Sequence, residues 1–308
     1  MSVIEPQPAS TQKDTKEREA GVEDPRPWAD FVALTKPNLV LMLVLTTCVG
    51  FYLGSIGDLD WLLLLHTWIG TGLAAGGTLA LNQFMERDRD ALMRRTMKRP
   101  LAAGRMNPGQ ALWFGVSVTV IGLLYLALCV NLISSAVTTV ITVTYLFLYT
   151  PLKHRTSLST MAGAVPGALP PVTGWVAARG DLGIEAIVLF LIMFLWQLPH
   201  SLALAWMFRE DYARGGFQLL PVIDPEGRIT SLQILINCLA LLVVSLVPSV
   251  IGMTGQIYFA VALVSGLVFV FYALQLTRTR TTIAAKKVFL VSLFYLMIQF
   301  VTLAVDKA

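Results

Sequence analysis

Charge is what this chain has least of. Only 14% of its 308 residues are Asp, Glu, Lys or Arg, where an ordinary soluble domain carries about a quarter. With 56% hydrophobic residues, the composition excludes a soluble globular protein and points to one built into a bilayer. Cysteine is scarce too. Cys48, Cys129 and Cys238 each stand alone in an apolar run, with no CxxC pair, which excludes a disulfide framework and a thiolate metal site. There is no Walker A loop, no GxSxG, no HExxH and no CxxCH, so nucleotide hydrolysis, serine chemistry, zinc peptidase chemistry and covalent haem attachment have no support. Residues 1–27 mix Lys, Glu, Asp, Pro and Gln and lack the apolar core of a signal peptide; they read as a disordered tail.

What is abundant is long apolar runs. Nine segments are long enough to cross a bilayer at about 17–25 residues each: roughly 38–57, 62–85, 110–130, 132–150, 160–178, 185–208, 229–251, 255–276 and 286–304. The fifth holds Pro166, Pro170 and Pro171 and is expected to be kinked or partly unwound, which a membrane tolerates only against protein or a cavity. The expected fold is an all-α polytopic helical bundle of about nine spans over residues 28–308. Of the 23 Lys and Arg residues, all but Arg179 and Lys307 fall in the N-terminal region and in alternate connections. The positive-inside rule then puts the N-terminus and the long, charged connections in the cytoplasm, and the C-terminus outside. No nucleic-acid partner is expected; the partner of this surface is membrane lipid.

The densest charge lies at Asn82–Arg105, NQFMERDRDALMRRTMKRPLAAGR. Asn82, Glu86 and Asp90 are four apart, which puts them on one face if the second span stays helical. Carboxylates at a helix C-terminus cost roughly 0.3–1 kcal/mol each, a penalty that a bound cation reverses. The sixth span ends in a similar way, with Glu210 and Asp211; LALNQFMERDRD and LALAWMFREDYARG form a faint internal echo. Mg²⁺ favours oxygen ligands, with one or two carboxylates beside phosphate oxygens and water. Asn82, Glu86 and Asp90 suit one ion, and Asp211, with Glu210, is the candidate for a second. Arg94, Arg95 and Arg99 follow the first acids, and Lys153 and Arg155 lie on the next cytoplasmic connection. Beside a metal they suit a diphosphate leaving group; ordinary membrane topology explains any one of them equally well. His200 lies within the sixth span beside Pro199. An intramembrane histidine is a functional candidate, although it could simply satisfy the carbonyl that Pro199 frees.

Six segments together carry a specific resemblance: LTKP (Leu34–Pro37), Asn82–Arg105, YTPLKHRT (Tyr149–Thr156), GAVPGALPPVTGW (Gly163–Trp175), WQLPHSLALA (Trp196–Ala205), and EDYARGG (Glu210–Gly216) with LLPV (Leu219–Val222). The chain resembles the UbiA-type membrane prenyltransferase superfamily. Its run from Arg95 to Leu101 and its Pro-His element are similar to the haem-farnesylating branch. The resemblance implies a single membrane prenyltransferase domain with a cytoplasm-side cavity in a bacterial inner membrane. It also implies Mg²⁺ dependence, farnesyl diphosphate as donor and haem B as acceptor, with haem O as product and handover to a haem A synthase or terminal oxidase. Asn82, Glu86 and Asp90 match the first acidic motif, with Glu86 where many members have Asp. The second motif has two acids four apart; here Gly215 follows Asp211 at that spacing, so Glu210 or substrate would complete it. Lys153 and Arg155, then Arg95 and Arg99, match the diphosphate-binding cations, and His200 would orient or ligate the haem. The alternatives are an aromatic or quinone-precursor acceptor, and a transporter or oxidase assembly factor that binds ions without chemistry.

Overall fold

A computed structural model describes residues 27–308. The tail expected to be disordered lies outside the described residues, except for Pro27, which opens the first helix. In chain order the elements are α1 (Pro27–Thr35), α2 (Pro37–Gly54), α3 (Trp61–Asp90), α4 (Pro108–Cys129) and α5 (Leu132–Val143). A π-helical segment, Thr144–Tyr149, leads into the single turn α6 (Thr150–Leu152). Then come α7 (Ser159–Ala168), α8 (Pro170–Arg179), α9 (Ile184–Met207), α10 (Arg209–Arg214), α11 (Leu220–Ile223), α12 (Arg228–Val244), α13 (Val247–Val250), α14 (Gln256–Thr279) and α15 (Thr282–Val305). No strand occurs among the described residues. The chain is an all-α integral membrane bundle.

Eight stretches are long and apolar enough to cross a bilayer. They are α2, α3, α4, α5 with its extension to Leu152, α9, α12 with α13, α14 and α15. The fifth expected span differs from a single crossing helix. It is two ten-residue helices, α7 and α8, that meet at Leu169 just before Pro170 and Pro171. Proline lacks the amide hydrogen that a continuous helix needs. The exposed backbone this leaves is tolerated because Pro170–Ala177 is buried throughout. Small residues allow the close approach. A Cβ on Gly50 of α2 would sit 1.9 Å from the Pro171 carbonyl oxygen, and one on Gly174 would sit 1.9 Å from that of Thr47. Such backbone-to-backbone packing is how membrane helices gain dispersion energy without a hydrophobic drive.

The main core joins α8, α9, α12, α14 and α15 around Trp175, Trp196, Trp206, Ile192 and Leu241, so those three tryptophans pack inside the protein. Two smaller clusters hold the connection between α3 and α4. Met93 packs with Ala205, Phe217 and Leu219, and Leu101 and Met106 pack with Leu34, Ala80 and Ala111. This 91–107 segment is therefore tied down at both ends over one end of the bundle. At 30 residues and about 1.5 Å per residue, α3 outruns a hydrocarbon core of about 30 Å. Its last turns, which carry the acids, project into that end.

Candidate active site

Helix α3 stays regular to Asp90, so Asn82, Glu86 and Asp90 share one face, and that face is buried: their exposures are 1%, 4% and 1%. A carboxylate taken out of water is unstable without a partner. Each of the three meets a cation from a different part of the chain. Lys153 Nζ donates to Glu86 Oε1 at 2.8 Å. Arg99 Nη1 donates to Asp90 Oδ2 at 2.6 Å. Lys36 Nζ donates to Asn82 Oδ1 at 3.2 Å. The other oxygen of Asp90, Oδ1, is buried with no hydrogen-bond partner among the described residues.

Local backbone features deliver these cations. Lys36 links α1 to α2 with φ +50°, an uncommon left-handed conformation for a side-chain-bearing residue. Sequence reasoning counted Lys36 only as one of the cytoplasmic cations, and nothing but its place in LTKP set it apart. Burial, then the Arg99 and Lys153 cations, push its amine down to about 7 against the opposing pull of Glu86 and Asp90. Lys153 follows the π-helical segment; its ammonium lies 4.3 Å from the Tyr149 ring centre. Burial opposes its charge, but Tyr149, Glu86 and Tyr145 outweigh it and hold its pKa above the ordinary lysine value. Beside it, burial and the Arg89 cation push His154 down to about 4, so this imidazole is neutral at pH 7 and adds no charge.

Asp211 sits elsewhere. Glu86, Asp90 and Asp211 do not form a three-acid metal cluster, and no group of three His, Cys, Asp or Glu side chains does so among the described residues. Asp211 Oδ1 accepts from the Arg94 backbone amide and Oδ2 from that of Arg95, both at 3.1 Å, and the Arg214 guanidinium covers it. Burial works against its charge, but Arg214 and the Arg95 and Arg94 amides outweigh it and hold its carboxyl below the usual range. Glu210, its expected helper, is exposed. Of the expected diphosphate cations, Lys153 and Arg99 meet the acids. Arg95 instead donates to the Tyr212 hydroxyl at 3.0 Å and lies over the Phe208 and Tyr212 rings. Arg94 and Arg155 are exposed.

His200 is sandwiched between Trp196 and Phe289, with both ring centres 4.8 Å away. Its Nδ1 lies 2.8 Å from Ser292 Oγ. That hydroxyl also lies 2.6 Å from the Phe289 carbonyl, to which it donates, an arrangement that suits the tautomer in which Nδ1 donates to Ser292 and Nε2 keeps its lone pair.

The α3 face therefore offers hard oxygen donors: an amide carbonyl, a carboxylate, and a second carboxylate with a free oxygen. These fit Mg²⁺, which takes few protein carboxylates and fills its remaining positions from phosphate and water. The three cations suit a polyanion beside it. A protoheme IX farnesyltransferase of Solibacter usitatus (strain Ellin6076) is 45% identical over 287 residues, covering 90% of this chain and 98% of its own length. Among solved structures, a digeranylgeranylglyceryl phosphate synthase superposes with TM-score 0.77 at 16% identity, covering 91% of this chain and 98% of its own. A UbiA homologue from Archaeoglobus fulgidus, bound to DMAPP and Mg²⁺, superposes with TM-score 0.66 at 13% identity, covering 90% and 99%. Residues 43–298, from early in α2 to late in α15, match the model of one family along their whole length, and the chain belongs to the UbiA prenyltransferase family.

Proposed function

We propose that this chain transfers the farnesyl group of farnesyl diphosphate to a vinyl group of haem B, giving haem O and diphosphate. The observation that carries the reaction type is the buried Asn82–Glu86–Asp90 face met by Lys36, Arg99 and Lys153. The acceptor is taken from the relative at 45% identity, which is named for it. Asn82, Glu86 and the free Oδ1 of Asp90 would hold Mg²⁺. When bound, the ion supplies Lewis-acid neutralisation of the leaving phosphate oxygens.

The residues of the chain do the rest. Lys153, Arg99 and Lys36 hold the diphosphate and stabilise the charge that grows on it as the carbon–oxygen bond breaks. The electron pair of that bond leaves with the diphosphate, and an allylic farnesyl cation remains. A haem vinyl attacks the cation with its π pair and forms the new carbon–carbon bond. Water captures the resulting cation beside the porphyrin ring and releases a proton, leaving a hydroxyethylfarnesyl group. Early water would give farnesol instead. The 91–107 segment, pinned by Asp211 and by its two apolar clusters, is the cover that restricts it. His200 presents Nε2, the nitrogen free to orient or ligate the haem iron.

The positive-inside pattern supports placing this site on the cytoplasmic side of a bacterial inner membrane, with haem O passing on to a haem A synthase or terminal oxidase. Purified protein in lipid nanodiscs, given Mg²⁺, farnesyl diphosphate and haem B, should yield haem O by mass spectrometry. Prenylation of a hydroxybenzoate or naphthoate with haem left untouched would overturn the acceptor.

A further inference from the structure

The α5–α6 junction holds a device that the reaction itself does not explain. The π-helical segment Thr144–Tyr149 widens the hydrogen-bond register by one residue, so the Tyr145 carbonyl accepts the amide of Thr150, five positions on. Such inserts often mark functional sites. Here the widened turn lets the Thr150 hydroxyl reach the same carbonyl, at 2.8 Å. A threonine hydroxyl has one hydrogen to give, and this one is committed to Tyr145.

Toward its other neighbour, Asn82, Thr150 therefore offers only a lone pair. Asn82 Nδ2 donates to it at 3.2 Å. That fixes which way the amide faces. Its nitrogen points to Thr150 and its oxygen to the opposite side, where Lys36 Nζ donates to it. The reversed amide fails at Thr150, where a carbonyl would face a hydroxyl with no hydrogen left, and it gives up the hydrogen bond that Lys36 Nζ donates. Both side chains are buried, at 1% and 3% exposure, so an unpaired end of the amide would be costly.

We propose that Thr150 is a positioning residue whose hydroxyl, polarised by the π-turn carbonyl of Tyr145, locks the Asn82 amide with its oxygen toward the cation site. This rests on the reading of Asn82, Glu86 and Asp90 as that site. The effect is the one expected of groups behind a metal ligand, whose loss typically costs about 10–100-fold in metal affinity.

The test reads Mn²⁺ binding by electron paramagnetic resonance in nanodiscs, since Mn²⁺ takes the same octahedral oxygen ligation as Mg²⁺. Thr150→Val keeps the shape and removes the hydroxyl; it should weaken Mn²⁺ binding by about tenfold or more. Thr150→Ser should restore it. Asn82→Asp presents an oxygen whichever way it turns, so in that background Thr150→Val should lose its effect. An equal loss in both backgrounds would make Thr150 a packing residue and overturn the proposal, as would unchanged binding in Thr150→Val. If Asn82→Ala and Glu86→Gln also leave Mn²⁺ binding intact, the cation-site reading itself falls. If those two weaken it and Thr150→Val does not, only this inference falls.

Discussion

Two helix ends of this protein look alike in sequence and act differently in space. LALNQFMERDRD closes α3 and puts its acids where a helix dipole disfavours them, whereas LALAWMFREDYARG runs past the end of α9 and puts Glu210 and Asp211 in the first turn of α10, where a dipole favours them. Helix α3 runs unbroken through its acids, so Asn82, Glu86 and Asp90 stack on one buried face and meet the side-chain cations Lys36, Lys153 and Arg99. Helix α9 breaks at Phe208, and the short α10 starts afresh. That break turns Asp211 onto the backbone amides of Arg94 and Arg95. Asp211 has both oxygens on main-chain amides of the 91–107 segment in addition to Arg214, which suits holding that segment, whereas Glu86 and Asp90 meet side-chain cations alone, the arrangement we read as suited to a metal and a diphosphate. On our proposal the same residue type serves the chemistry at one exit and anchors the cover at the other.

The largest break in this comparison should come from Lys153→Met. It removes the cation we place beside the diphosphate and leaves Glu86 buried and uncompensated. Turnover should fall by roughly 10²–10³-fold, as on loss of an electrostatic stabiliser, and stability by about 3–5 kcal/mol, as when one partner of a buried ion pair is lost. Adding Glu86→Gln should restore the thermal midpoint but not turnover, which separates the two effects. Next comes Asp211→Asn. It weakens hydrogen bonds to a charged acceptor, each worth about 1.5–3 kcal/mol. Limited proteolysis should cut the 91–107 segment faster and farnesol should rise relative to haem O, while Mn²⁺ binding holds. Loss of Mn²⁺ binding in Asp211→Asn would make the second exit a metal site after all and erase the contrast. The smallest effect belongs to Glu210→Gln, an exposed acid beside Asp211, where stability should stay within about 0.5 kcal/mol and steady-state turnover should hardly move.

Much of this was legible in the residues because it depends on period and composition. Apolar run length gives the spans. The four-residue spacing of Asn82, Glu86 and Asp90 gives a shared face as soon as the helix persists. What was not legible depends on where the backbone leaves the regular path. The prolines at 166, 170 and 171 announced a distorted crossing, but two half-helices meeting at Leu169 are a packing outcome, permitted by the glycine contacts of Gly50 and Gly174. Lys36 is one cation among many in sequence; its left-handed φ and burial bring it to Asn82. Arg94, Arg95 and Arg99 sit within one short basic run, yet only Arg99 turns to the acids. The contact of Asp211 with the Arg94 and Arg95 amides was not legible either, because the break at Phe208 has no sequence signature. The π-turn before Thr150 has none either, since one added residue in a register leaves the apolar pattern intact.

The most direct test compares the two exits in one assay: haem O formation from haem B, farnesyl diphosphate and Mg²⁺ by Glu86→Gln and Asp211→Asn, beside the unaltered protein in the same nanodiscs. Glu86→Gln should remain folded and form less than roughly one hundredth of the product, whereas Asp211→Asn should keep a measurable rate with more farnesol. Full turnover by Glu86→Gln would contradict the account, because the buried face of α3 would then not be where the farnesyl group is released.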